Sequence, residues 1–182
     1  MTTRRWVSAL LAGASAAIAG LLLAGCADDK SPDARPLPKG KSAEMAASSR
    51  PDMEQAEALA AYRSWWRDLA AVSATPDPAS PRLNDHAMGG ALELMKHGLE
   101  TAQKQMVVAR GTPRPNPEIS SASRDMVVIR DCVDGTDWLQ YKQNGELKND
   151  VPGGHFKVDA SVRRVDSTWK VSDLYMHEAG SC

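Results

Sequence analysis

In two stretches between Leu59 and Lys104 the large apolar side chains of this sequence recur every three or four positions, and beyond Lys104 they alternate with polar ones. A single change from the period of a helix to the period of a strand describes helices followed by an antiparallel sheet. The expected class is therefore α+β, with N-terminal helices packed on one face of a curved, mainly antiparallel sheet.

The first helix is expected from about Met53. Asp52 and Gln55 have capping-box spacing, Leu59, Tyr62, Trp66 and Leu69 step along one face, and three prolines between Thr75 and Pro81 end it. Trp65 and Trp66 are adjacent, so they point about 100° apart, and one is expected in the core with the other at a rim or interface. Trp138 and Trp169 are expected in the core. Met88, Leu92, Met95, Leu99 and Ala102 predict helix from about Asn84 to Lys104. Gly89, Gly90 and Gly98 weaken that stretch, which leaves open two shorter helices or a close backbone approach.

Strand signals follow. Met106 to Ala109 is a short candidate, Gly111 to Pro117 is a proline-rich loop, and Met126 to Ile129 is apolar on both faces, as a covered central strand would be. Asp134-Gly135 and Asn144-Gly145 are turn dipeptides. Phe156, Val158, Ala160 and Val162 alternate with charged or small polar residues, and Asp166-Ser167 can turn the chain into a last strand from Trp169.

The N-terminus carries an address. Arg4 and Arg5 precede a charge-free run from Trp6 to Leu23, which closes on Leu23-Ala24-Gly25-Cys26. That ending resembles a bacterial lipobox, which implies a lipoprotein signal peptide over 1–25, acylation of the Cys26 thiol (diacylglycerol and palmitate-type chains) and attachment to the extracytoplasmic face of the cell membrane. A transmembrane anchor is the competing reading, but the run is full of Ala, Gly and Ser and no basic stop-transfer cluster follows. Thr3-Arg4-Arg5-Trp6 faintly resembles a twin-arginine motif, so the export route stays open. Processing would remove Arg4 and Arg5 and no acid, which moves the formal charge from -1 to -3. Acyl chains rather than basic residues would then hold the protein on the membrane.

Residues 26–52 hold Pro32, Pro36, Pro38 and Pro51 among polar side chains and cannot build a core. They are expected to be a flexible tether reaching about 28 Å as a coil, leaving 53–182 as the α+β domain. With Cys26 claimed by lipid, Cys132 and Cys182 are expected to pair as a disulfide in an exported chain.

This layout resembles the nuclear transport factor 2-like fold, a cone-shaped α+β architecture, which implies a cavity between helices and sheet. The lipobox, the tether, Asp131-Cys132 with Asp134, the Asp166 to Val171 turn and the terminal Gly180-Ser181-Cys182 resemble small secreted lipoproteins of actinobacterial type.

If residues 165 and 168 close a two-residue turn, Ala160 faces Asp173, Val158 faces Tyr175 and Phe156 faces His177. These three are then ligand-binding candidates on the cavity face, where an acid, a phenol and an imidazole could orient a ligand or move a proton. A bulge near Ser172-Asp173 would instead turn Leu174 and Met176 inward and send the three to solvent. Both registers are open at this point.

No H-E-x-x-H, paired C-x-x-C, phosphate loop or G-x-S-x-G occurs. In one helix His86 and His97 would lie about 16 Å apart, too far for one ion. No catalytic residue, metal or cofactor is assigned, and the balanced charge argues against nucleic acid as a partner. The expected function is a membrane-anchored module that binds a small apolar ligand or an envelope protein without catalysis. The alternatives are an isomerase- or cyclase-like enzyme with a cavity acid/base, and a structural envelope subunit marked by an exposed tryptophan patch.

Overall fold

The computed structural model describes residues 41–182, with side chains from residue 50 onward. The expected signal segment, Cys26 and the expected tether as far as residue 40 lie outside the described residues. The elements are α1 (Lys41–Ser73), α2 (Leu83–His86), α3 (Gly89–Lys104), β1 (Val107–Arg110), β2 (Glu118–Ala122), β3 (Met126–Asp134), β4 (Leu139–Lys142), β5 (His155–Val165) and β6 (Thr168–Met176). The class is α+β.

α1 starts inside the stretch expected to be tether, and Asp52 sits within it instead of capping it. Residues 41–49 lack apolar bulk but contain Ala, Lys, Glu and Met with no Gly or Pro, a composition that forbids a core without forbidding a helix. Pro51 is accommodated within the helix at the loss of one backbone hydrogen bond. The buried arc of α1 is wider than its periodicity suggests, and Tyr62, Trp65 and Trp66 are all at most 1% exposed. Both tryptophans are core residues, contrary to the expectation of one at a rim, because α1 packs against α2, α3 and the strands β1, β5 and β6.

Two antiparallel sheets carry the rest, one ordered β2-β3-β5-β6 and a small one of β1 and β4. Val127, Ile129, Val133, Val158, Ala160, Val162, Trp169 and Val171 face the helices and form one cluster with them. The opposite sheet face carries Arg130, Lys157 and Asp159, all exposed, so β3 is central in the sheet but covered on one side only. Asp166 and Ser167 form the β5–β6 turn at φ 47° and 70°, two left-handed residues in succession as a tight hairpin requires.

The pairing of β5 with β6 decides between the two registers. Val165 pairs with Thr168 and Val162 with Val171, but Ser161 then pairs with Asp173, leaving Ser172 as an extra residue. This is the bulged register. Beyond it Leu174 and Met176 pack against the core, while Asp173, Tyr175 and His177 go to the other face. The three are therefore not on the cavity face, because keeping them there would have buried an acid and left Leu174 and Met176 in water.

The bulge also splits the second helical stretch. Ala87 forms a parallel bridge with Val171, the Met88 N–H donates to the Val171 carbonyl at 2.9 Å, and Gly89 restarts the helix at φ 51°. A Cβ on Gly89 would sit 3.0 Å from the Ser172 carbonyl oxygen, so glycine is required both for the backbone conformation and for the approach. At its other end α3 passes into β1 through Met106, at φ 53°.

Cys132 on β3 is bonded to Cys182, fifty residues later. Hydrogen bonds from Gly180 N to His155 O (2.7 Å) and from Lys157 N to Ser181 Oγ (2.8 Å) hold the same C-terminal segment along β5. Loop-closure entropy for this separation corresponds to about 4 kcal/mol. The double substitution Cys132→Ser/Cys182→Ser is expected to lower the unfolding free energy in urea by about that amount, and an unchanged midpoint would contradict it.

Candidate ligand-binding cleft

Where α3 stops and the chain returns as β1, a cleft of about 180 Å³ remains between α1, α3, the β1–β4 pair and the end of β6. α1 supplies Trp65, Leu69 and Ser73, four residues apart and so on one face. α3 supplies Leu94, Gly98 and Ala102 at the same spacing, together with the deeper Met95 and Leu99. Val107 to Ala109 form one wall, Trp138 and Gln140 another, and Met176 reaches in from β6. Trp65, Met95, Leu99 and Val107 are buried at the floor, whereas His97, Gly98 and Gln140 are exposed and define the mouth. No lining side chain is an acid, a lysine or an arginine.

The wall is stiffened by aromatic packing. Trp66 meets Trp65, Tyr62 and Trp138 edge-to-face, with ring centroids 5.0, 6.3 and 6.1 Å away. The indole N–H groups of Trp65, Trp66, Trp138 and Trp169 are buried without a hydrogen-bond acceptor.

Buried ionisable groups lie outside the cleft and are engaged. The Tyr62 hydroxyl donates to Asp131 Oδ2 at 2.9 Å and the Asn116 N–H donates to Asp131 Oδ1 at 2.8 Å. Burial raises the Asp131 carboxyl above the ordinary carboxylate range, and these hydrogen bonds only partly oppose it. Burial first, and the neighbouring Asp131 charge second, push the Tyr62 hydroxyl well above its usual range. His86 Nδ1 lies 2.6 Å from Asp68 Oδ2, which ties α2 to α1. Arg114 clasps Asp134 and Asp137, and Asp134 is held far below the usual range, chiefly by the Thr136 N–H.

On the outer sheet face, Tyr175 is 64% exposed and its ring packs edge-to-face on His177 at 4.7 Å. His177 Nε2 lies 2.8 Å from Asp159 Oδ2, and Asp173 Oδ2 is 2.9 Å from the Ser172 hydroxyl. These candidates share the solvated face with Asp159, and none of them lines the cleft. Among the described residues no three His, Cys, Asp or Glu side chains come together as a metal set. Sequence reasoning missed the cleft because its walls come from five elements. Its one local signal was the Leu94, Gly98, Ala102 spacing on α3.

No protein-family model matches the sequence, and no curated protein matches it. Among solved structures, the intermembrane space region of the chloroplast protein ARC6 is similar at 13% identity and a TM-score of 0.51, over 69% of this chain and 96% of that one. A protein of Novosphingobium aromaticivorans provisionally named an aromatic ring hydroxylase follows at 12% identity and 0.46, over 66% and 87%. An NTF2-like protein of unknown function from Pseudomonas putida KT2440 is similar at 14% identity and 0.33, over 72% and 86%. At such identities a likeness is one of fold alone, and below 0.5 it supports nothing further. The layout of helices followed by an antiparallel sheet is nevertheless the one implied by the nuclear transport factor 2-like resemblance.

The Asp131 environment makes a pH prediction. A carboxyl whose folded pKa is raised contributes stability that is complete below its unfolded pKa, near 3.9, and is lost as pH rises through the folded value. Asp131→Asn keeps an acceptor for the Asn116 N–H and removes this loss. Urea titrations from pH 3 upward should show the Asn variant gaining on wild type as pH rises through that window, and a constant difference would refute the assignment.

Proposed function

We propose that this chain is a lipid-anchored extracytoplasmic protein whose α+β domain is a non-catalytic module holding a small apolar ligand in the cleft. The observation that carries this reading is the cleft itself, an apolar floor with an open mouth and no acid, lysine or arginine in its lining. Hydrophobic lining with a few polar groups is what a small-molecule site needs. The buried acids Asp131 and Asp68 are engaged away from that cleft, and His97 at its mouth has no acid beside it in the lining, which disfavours an isomerase- or cyclase-type proton transfer there. A structural envelope subunit is less favoured because the four described tryptophans that would mark a docking patch are buried or half-buried.

The anchoring half of the reading rests on the lipobox ending at Cys26. No helix among the described residues is long and apolar enough to cross a membrane. Intact-mass spectrometry of membrane-extracted protein is expected to show a chain beginning at Cys26 and carrying acyl chains, and Cys26→Ser should release the protein from the membrane. A mature chain without lipid would refute the anchor.

The binding half predicts that the uncharged fluorophore N-phenylnaphthylamine brightens on adding the protein. Ala102→Phe, which fills the cleft from α3, should reduce that signal at least about tenfold while leaving the fold intact by circular dichroism. A signal unaffected by Ala102→Phe would place the ligand elsewhere.

A further inference from the structure

Gly98 lies in the middle of α3, where glycine weakens a helix relative to alanine, yet close packing does not account for it. A Cβ built on Gly98 meets nothing within 4 Å, in contrast to Gly89 and Gly90, which are crowded by Ser172 and Asp173. The space in front of Gly98 is the mouth of the cleft, between the exposed His97 and the exposed Gln140. Beside this mouth stands Lys148. Its ammonium donates to Gln140 Oε1 at 2.8 Å and to Gln105 Oε1 at 2.6 Å, both neutral acceptors, and among the described residues it forms no ion pair within 4.0 Å. An uncompensated cation thus borders an opening whose floor is wholly apolar. The cleft's volume of about 180 Å³ is below the roughly 300–1,000 Å³ of sites that engulf a drug-sized molecule. A slender segment enters, and the remainder of the ligand stays at the mouth.

We propose that the cleft takes a single-chain anionic amphiphile, an alkyl or acyl chain ending in a carboxylate or phosphate. The chain passes over Gly98 onto the floor formed by Trp65, Met95 and Leu99, and the charged end lies against Lys148. This rests on the reading of the cleft as a ligand site and adds the ligand's chemical class. It also makes Gly98 the residue that sets the width of the entrance. Such a chain has two sources, a free fatty acid or a membrane lipid.

The test uses the mature chain from residue 26 carrying Cys26→Ser, in detergent-free buffer, with a dansyl-labelled undecanoic acid as fluorescent probe. Dodecanoate is expected to displace the probe at about two- to fivefold lower concentration than dodecanol, the range of a solvent-exposed ion pair. That gap should close in Lys148→Met and at high salt. Gly98→Leu should weaken acid and alcohol alike, about tenfold or more. Open space at this position makes the variant foldable, and Gly98→Ala should raise Tm by about 2–6 °C as the helix gains a better former. Displacement by dodecanoate at lower concentration than by lysophosphatidylglycerol assigns a free acid as the source, and the opposite order assigns a membrane lipid. Two results overturn the inference: acid and alcohol bound equally by wild type, or a probe bound as tightly by Gly98→Leu. If N-phenylnaphthylamine still binds and is lost in Ala102→Phe, those results leave the cleft reading standing. Binding of no probe at all removes both.

Discussion

One extra residue in the last strand, Ser172, governs the arrangement of everything packed on it. Upstream of the bulge Trp169 and Val171 face the helices; downstream the parity changes, and Leu174 and Met176 take that face. A strand has period two, so without the extra residue every side chain beyond it would exchange faces. The Ser172 carbonyl is also the surface on which α3 begins, and the approach is close enough that Gly89 is needed there. The register of the sheet, the break between α2 and α3 and the direction in which α3 leaves the sheet thus follow from one backbone irregularity.

The cleft is a consequence of that direction. α3 runs from the bulge to Lys104, where the left-handed Met106 returns the chain as β1. Between these elements Trp65 and Trp138 are held by edge-to-face contacts with Trp66, so the walls are rigid large rings while Gly98 and Ala102 opposite are small. Rigid rings facing small residues leave unfilled volume that flexible side chains would have closed. Charges are kept at the mouth or elsewhere, in the Tyr62–Asp131, His86–Asp68 and Arg114–Asp134 pairs. The binding reading grows out of this separation of apolar volume from ionisable groups.

Much of the fold was legible in the sequence. The change of period after Lys104, the Asp166-Ser167 turn and the alternation from Phe156 to Val162 each report on neighbours close in the chain, and each has its counterpart in the structure. The start of α1 was misplaced because hydrophobic periodicity detects a buried face, and residues 41–49 form helix without supplying the apolar residues that would reveal one. One of Trp65 and Trp66 was expected at a rim because one helix seen alone has one inner side, whereas α1 is covered by helices and strands together.

The candidate site was hardly legible. Asp173, Tyr175 and His177 were drawn from one strand by register arithmetic, and a bulge of one residue reverses that arithmetic. The cleft residues come from α1, α3, β1, β6 and the segment around β4, and spacing along the chain cannot bring Trp65, Gly98, Val108 and Met176 together. The sequence by itself determined the class and the tight turn, because each is written in a contiguous pattern of side chains that reports on near neighbours in the chain. Tertiary structure alone decided which face of β6 is inside, why Gly98 borders empty space while Gly89 does not, and where Lys148 lies relative to an apolar opening. Those are properties of distance between segments remote in the chain, and packing sets them.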